Sequence, residues 1–247
     1  MSIVFKAQHP VFGRGSKPLG LAYQQRSPYY WWWEFLRRNE QYAACCAAGG
    51  TGELAQLYAD FGVVSNDTFK DWWSKHGFYL FAEKTKPQFL EELNNPAEWK
   101  ADWTQDTVMV VAVPLDLPKR YLQGFFARLL KTRHAGKRGR KALSDKDAST
   151  ARYPLHRNVS IHTLRIQLAV YDAVMATKRG EVKKRLAQIG ADLQLVKSAM
   201  PHSKDLRHEA ELKRSVMAAS VSRHFKDAQR IVANTAKGQF PNSSDEH

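Results

Sequence analysis

Val216-Met-Ala-Ala-Ser-Val-Ser-Arg-His-Phe-Lys-Asp-Ala-Gln-Arg-Ile-Val-Ala-Asn-Thr-Ala-Lys-Gly-Gln-Phe-Pro241 reads as one helix. Val221, Phe225, Ala228, Ile231 and Val232 recur at three- and four-residue spacings and form a single apolar stripe. Ser222, Arg223, Lys226, Gln229, Arg230 and Lys237 lie off that stripe. Gly238 and then Pro241 end the helix, because glycine accepts the left-handed cap and proline cannot continue it. Such a helix packs on one side and offers cations, amides and hydroxyls on the other. Those groups suit phosphates and base edges, and they equally suit a solvated face.

The charge is unevenly placed. The 247 residues carry a formal net charge of +14. Residues 1–100 hold 11 Lys/Arg against 10 Asp/Glu, whereas residues 101–247 hold 27 against 14. An excess confined to one half points to a polyanion partner, most often nucleic acid. No run approaches the roughly 20 apolar residues of a membrane span. An anionic membrane surface is set aside too, because no segment stands out as a basic face opposite a Trp/Phe/Leu insertion face. The first residues, MSIVFKAQHPVFGRG, lack a secretory h-region. Cys45 and Cys46 are adjacent, which suits neither a disulfide nor a metal site. A reducing cytoplasm, with nucleoid association, is the expected location.

The near-neutral half reads as follows. Residues 1–26 form an extended arm with Gly13, Gly15, Pro18 and Gly20. Residues 27–104 form an aromatic-rich helical interaction module. Its first helix opens at Ser27-Pro28 and runs to Gly49-Gly50. Three consecutive tryptophans span most of a helical turn and cannot all face one core. Packing within the chain is expected for most of Trp31, Trp32, Trp33, Trp72 and Trp73, and at least one is expected at a subdomain interface or at a homodimer or protein-partner surface. A helix over 52–59 and another, FKDWWSKHG, capped by Asp67 or Thr68 and closed by Gly77, follow. FYLFAE at 78–83 reads as a strand, and 87–94 as a short helix.

Residues 105–238 form the basic nucleic-acid-binding region, and 239–247 a disordered tail. The β-branched run at 107–113 is the strongest strand signal, with 78–83 or 153–159 as its pairing partner. Leu122, Phe125, Phe126, Leu129 and Leu130 mark the apolar face of a helix that starts at Asp116-Leu-Pro118. Residues 131–141 hold six Lys/Arg, two glycines and no acid, and read as a flexible polybasic loop. Lys137, Arg138, Arg140 and Lys141 would touch the phosphate backbone from it. Ser160 caps a further helix. The next, over 181–196, has Leu186, Ile189 and Leu193 on one side together with the small Ala187 and Gly190. Together these elements predict a mainly α protein with a small β-sheet, of the α+β class.

Three stretches resemble known families. Trp33-Glu-Phe-Leu-Arg-Arg-Asn-Glu-Gln-Tyr42 resembles the WEFLRRNxxY element of transcriptional-regulator-like proteins of proteobacterial integrative elements. The 181–196 helix resembles the first helix of a helix-turn-helix, whose small residues let its partner approach. Val221-Ser-Arg223 is similar to the VSR of repressor recognition helices. Residues 197–215 intervene, either as an elaborated turn or as part of a last helix starting near Ser203. These resemblances imply a sequence-specific double-stranded DNA-binding protein, a transcriptional regulator of a bacterial mobile element or phage. Arg223, Lys226, Gln229 and Arg230 would enter the major groove, with Ser222 supporting.

Two alternatives compete. One is a structural protein of a phage or defence assembly that binds nucleic acid nonspecifically. The other is a recombinase- or nuclease-like enzyme, since His162-Thr-Leu-Arg165 matches the HxLR piece of tyrosine recombinases. The companion arginine motif, the LGH element and a C-terminal nucleophilic tyrosine are missing, and Tyr171 is the last tyrosine. There is no GxxxxGK[ST], HExxH or GxSxG. The reading is therefore a non-enzyme without catalytic residues, metal or cofactor.

Overall fold

Pro28–Leu36 forms the helix around which the larger part of the chain is packed. The computed structural model describes residues 5–15, 17–83, 92–93, 95–99, 108–133, 149–156 and 160–244. The chain divides into two units, Met1–Thr85 with Ala142–His247, and Lys86–Lys141. The architecture is mainly α with a small two-stranded antiparallel sheet.

In the larger unit, β1 (Gly13–Arg14) pairs with β2 (Lys17–Pro18), placing Gly13 opposite Pro18. A single helical turn, α1 (Leu21–Gln24), leads into α2 (Pro28–Leu36). The Ser27 hydroxyl accepts the Tyr29 amide at 3.3 Å, and Pro28 sits where a missing N–H costs nothing. Tyr29 through Trp33, Phe35 and Leu36 are all buried. A helix apolar on every side is covered on every side. α8 (Ile161–Lys178) and α10 (Arg207–Thr235) pack on it. So do the side chains of a helical run made of α5 (Phe69–Trp72), a π-helical turn (Trp73–Gly77) and α6 (Phe78–Phe81).

This arrangement corrects the tryptophan reading. Trp32 meets Phe81 at 5.0 Å and Phe240 at 5.3 Å, while Trp33 meets Phe69 at 5.4 Å. Trp31 donates its indole N–H to the Gln25 carbonyl at 2.9 Å, and Trp72 donates to the Phe61 carbonyl at 2.7 Å. Trp73 stacks on Phe81 at 5.9 Å. All five tryptophans are buried in the chain's own core, so they offer no surface to a second copy or another protein.

The expected single helix from Ser27 to Gly49 is two. Asn39 leaves the helical path and caps α3 (Glu40–Ala47), its side-chain oxygen accepting the Tyr42 amide at 2.8 Å. Its amide nitrogen donates to the Val232 carbonyl of α10 at 2.8 Å, which ties the break to the last helix. α4 (Ala55–Phe61) follows. Thr68 caps α5 as expected, accepting the Asp71 amide at 3.2 Å.

Gly77 does not close that helix. It lies inside the run, where a Cβ would stand 2.6 Å from Trp73 and 2.8 Å from Trp72 ring atoms. Residues 78–81 are consequently helical, not a strand. The strand expected at 107–113 is also absent over the described residues 108–113, and the small sheet is instead the β1–β2 hairpin. Residues 87–91, 94 and 157–159 lie outside the described residues.

Described residues near both ends of the chain join the core. In the arm, Ala7 is buried and Phe5 meets Trp73 at 5.6 Å, so its described residues are not a free extension. In the expected tail, Phe240, Pro241 and Asn242 are buried, and the Phe240 carbonyl accepts the His156 amide at 2.7 Å. Buried Glu83 accepts the Ser149 hydroxyl and the Thr150 amide, each at 2.7 Å, which brings residues 83 and 149 together.

The unit Lys86–Lys141 holds a 3-10 turn (Pro96–Glu98) and α7 (Lys119–Arg133). No helix among the described residues is long and apolar enough to cross a membrane.

Candidate nucleic-acid interface

α10 is 29 residues long and carries the candidate site on its C-terminal half. The apolar stripe expected there is its packed side. Val221, Ala228, Ile231 and Val232 are buried, and Phe225 stacks on Tyr171 of α8 at 5.8 Å. Asn39 holds the same side through Val232.

α9 (Leu186–Asp192) crosses α10 at Gly190. Val170, Val174, Ile189 and Val221 form a second small core there, and Ala187 is half-buried. The two helices therefore touch as the helix-turn-helix resemblance requires. Their connection is not a tight turn. It runs over 193–206 with a 3-10 turn at Lys197–Ala199, after which α10 begins at Arg207. Of the two expected forms of the 197–215 stretch, the long last helix is the one present. Val221–Arg223 consequently lies mid-helix, on a flank of α10 and not at a helix N-terminus.

On that flank Arg223, Lys226 and Gln229 are exposed, while Ser222 and Arg230 are half-buried. Arg223, Lys226 and Arg230 follow one another at three and four residues, so they stand in one row. Ser222 and Gln229 border it, seven residues apart. Neither Arg223 nor Lys226 is ion-paired or hydrogen-bonded among the described residues. Some cations elsewhere have carboxylate partners, such as Arg38 with Asp172 at 2.6 Å, Arg152 with Asp60 at 2.8 Å and Lys184 with Asp192 at 2.6 Å. The acid nearest in sequence to the row, Asp227, accepts from Gln167 of α8 at 3.4 Å.

His224 adds no charge to the row at neutral pH. Burial, and then the Arg223 charge, hold its imidazole below the ordinary histidine range, against the opposing pull of Asp227. The row is thus a rigid line of positive groups and hydrogen-bonding side chains on a well-packed helix.

Lys137, Arg138, Arg140 and Lys141, the other proposed contacts, lie outside the described residues. His162 and Arg165 are exposed on α8. No group of three or more His, Cys, Asp or Glu side chains is gathered among the described residues as a metal site would need.

Upstream of Val216 the same helix carries a feature outside the quoted stretch. Leu212 and Val216 are exposed and line a cavity of about 350 Å³ with Ala199, Asp205, Glu209 and Lys213. The three- and four-residue spacing of Leu212, Val216 and Ala219 was the available signal. With two carboxylates on its lining, this cavity does not suit a phosphate.

No family model, curated protein or solved structure matches the chain.

Proposed function

We propose that this protein binds double-stranded DNA through the exposed flank of α10 and acts as a transcriptional regulator of a bacterial mobile element or phage. The observation that carries the DNA reading is the row of Arg223, Lys226 and Arg230, whose first two members have no protein partner among the described residues. Leaving cations unpaired on a rigid helix keeps them available for phosphates and for guanine edges. An α-helix fits the major groove, and Ser222 and Gln229 add donors and acceptors beside the cations. Lys137, Arg138, Arg140 and Lys141 would add backbone contacts. The regulatory part rests on sequence resemblance alone. Trp33, Phe35, Leu36 and Tyr42 of the WEFLRRNxxY stretch are buried, so these four residues supply scaffold.

One observation favours the runner-up, a nonspecific nucleic-acid-binding assembly protein. Val221–Arg223 lies mid-helix, and a helix lying lengthwise on a duplex can neutralise phosphates without reading bases. Genome-wide mapping of bound sites separates the two. A regulator yields one sharp sequence motif, whereas an assembly protein yields diffuse coverage. A preference for single strands or RNA favours the assembly protein, and a chain that binds no nucleic acid at all fits neither reading.

A further inference from the structure

α7 buries none of its residues. Tyr121, Phe125 and Leu130 are exposed, and Leu122, Phe126 and Leu129 are half-buried. Just before the helix, Leu117 is exposed and Leu115 is 91% exposed. Leu122, Phe125, Phe126, Leu129 and Leu130 recur at three- and four-residue spacings and fall on one side of the helix. Arg120, Gln123, Arg128 and Lys131 fall on the other, while Lys119 and Arg133 stand at its two ends. The helix carries no acid. Residues 117–144 hold nine Lys/Arg and no Asp or Glu.

We propose that α7 lies flat on the surface of an anionic lipid bilayer, its Phe/Leu side in the acyl boundary and its cations among the headgroups. The composition demands two things at once, an apolar medium for five large side chains and anions for five cations. DNA supplies the anions without the apolar medium. A second copy of α7 supplies the apolar side and sets five cations against five. A lipid–water interface supplies both in one plane. Arg120, Arg128 and Lys131 spread over the polar arc, while Lys119 and Arg133 close the two ends of the apolar side, where long side chains reach up to the headgroups, which suits a continuous sheet of headgroups better than a few fixed carboxylates. The Arg128 guanidinium lies 5.9 Å from the Phe125 ring centroid, so its charge stays level with the rim of the apolar side. At about 22 Å the helix is too short to span a core of about 30 Å, and it rests on the surface. α7 thus pairs a basic face with a Phe/Leu face, contrary to the expectation that no segment does.

The inference is independent of the DNA reading, because it uses none of the α10 side chains. The test is co-sedimentation of the full chain, free of DNA, with vesicles of phosphatidylcholine and phosphatidylglycerol. Binding to these vesicles is expected, reduced on the order of tenfold or more on phosphatidylcholine alone. Phe125→Glu with Leu129→Glu should abolish it while the circular dichroism of the chain is kept, since neither side chain is buried. Arg223→Glu with Arg230→Glu should retain it. Three results would overturn the proposal: no binding to the anionic vesicles, binding that survives the Phe125→Glu, Leu129→Glu pair, or binding lost on reversing the α10 charges. The first of these would point to an acidic groove on another protein as the cover for α7.

Discussion

Gly190 of α9 lies directly against Met217 of α10, where a Cβ on the glycine would stand 2.3 Å from Met217 Cγ and 3.0 Å from Val221 Cγ2. Both neighbours are buried, so neither has room to retreat. The closeness of α9 to the middle of α10, and hence the stiffness of the proposed DNA-binding row, depends on the missing side chain.

Gly190→Ala should therefore destabilise the chain, although alanine is the better helix former. The helix-propensity gain of about 1 kcal/mol is smaller than an overpacking cost of about 1–3 kcal/mol. Urea unfolding should show the loss, larger for Gly190→Val. Combining Gly190→Ala with Met217→Ala should give a double-mutant coupling energy of opposite sign to the single losses. Additive losses would mean that the two residues do not press on each other.

Asn39 does two jobs, and they can be separated. Asn39→Ala removes the α3 cap and the donor to the Val232 carbonyl, for a loss of about 2 kcal/mol in unfolding free energy. Asn39→Ser keeps a cap acceptor for the Tyr42 amide and loses the donor to Val232, so it should fall between wild type and alanine. Equal losses for the two variants would show that the cap contributes little.

Much of the larger unit was legible in the sequence, and the failures share a cause. The α10 stripe was readable because Val221, Phe225, Ala228, Ile231 and Val232 repeat with the helix period over several turns. Ser27-Pro28 and Thr68 were readable because capping is local. FYLFAE misled because a short apolar run has no period that tells a buried helix from a buried strand. The run at 108–113 misled because β-branched residues indicate fitness for a pleated surface and do not supply a pairing partner. Two-residue strands such as Gly13–Arg14 are too short for any pattern. The fate of the tryptophans, of Asn39 and of Phe240 depends on contacts with distant parts of the chain, which no local window holds. For the candidate site, the exposed row could be read, but the mid-helix position of Arg223 followed only from where α10 begins.

Acid should loosen the junction at residues 83 and 149. Burial alone would raise the Glu83 carboxyl; bonds from the Ser149 hydroxyl and from the Thr150 amide and hydroxyl, with the Lys6 charge, outweigh it and hold the group below the ordinary glutamate range. A depressed acid contributes stability above its unfolded pKa and loses it as pH falls through the folded one. Wild type should therefore lose stability below the usual glutamate range of about 4. Glu83→Gln should be less stable than wild type at neutral pH and show a flatter decline in acid. Thermal unfolding across pH measures both, and parallel profiles for the two proteins would contradict the assignment.

The central claim is that the exposed flank of α10 holds duplex DNA by its cations. Fluorescence anisotropy with duplex DNA, repeated over a range of salt concentrations, tests it most directly. For wild type the logarithm of the binding constant should fall linearly with the logarithm of salt concentration. Arg223→Ala with Lys226→Ala should weaken binding and reduce the slope by about two. An affinity that stays flat as salt rises, or a slope unchanged in the double variant, would contradict the account.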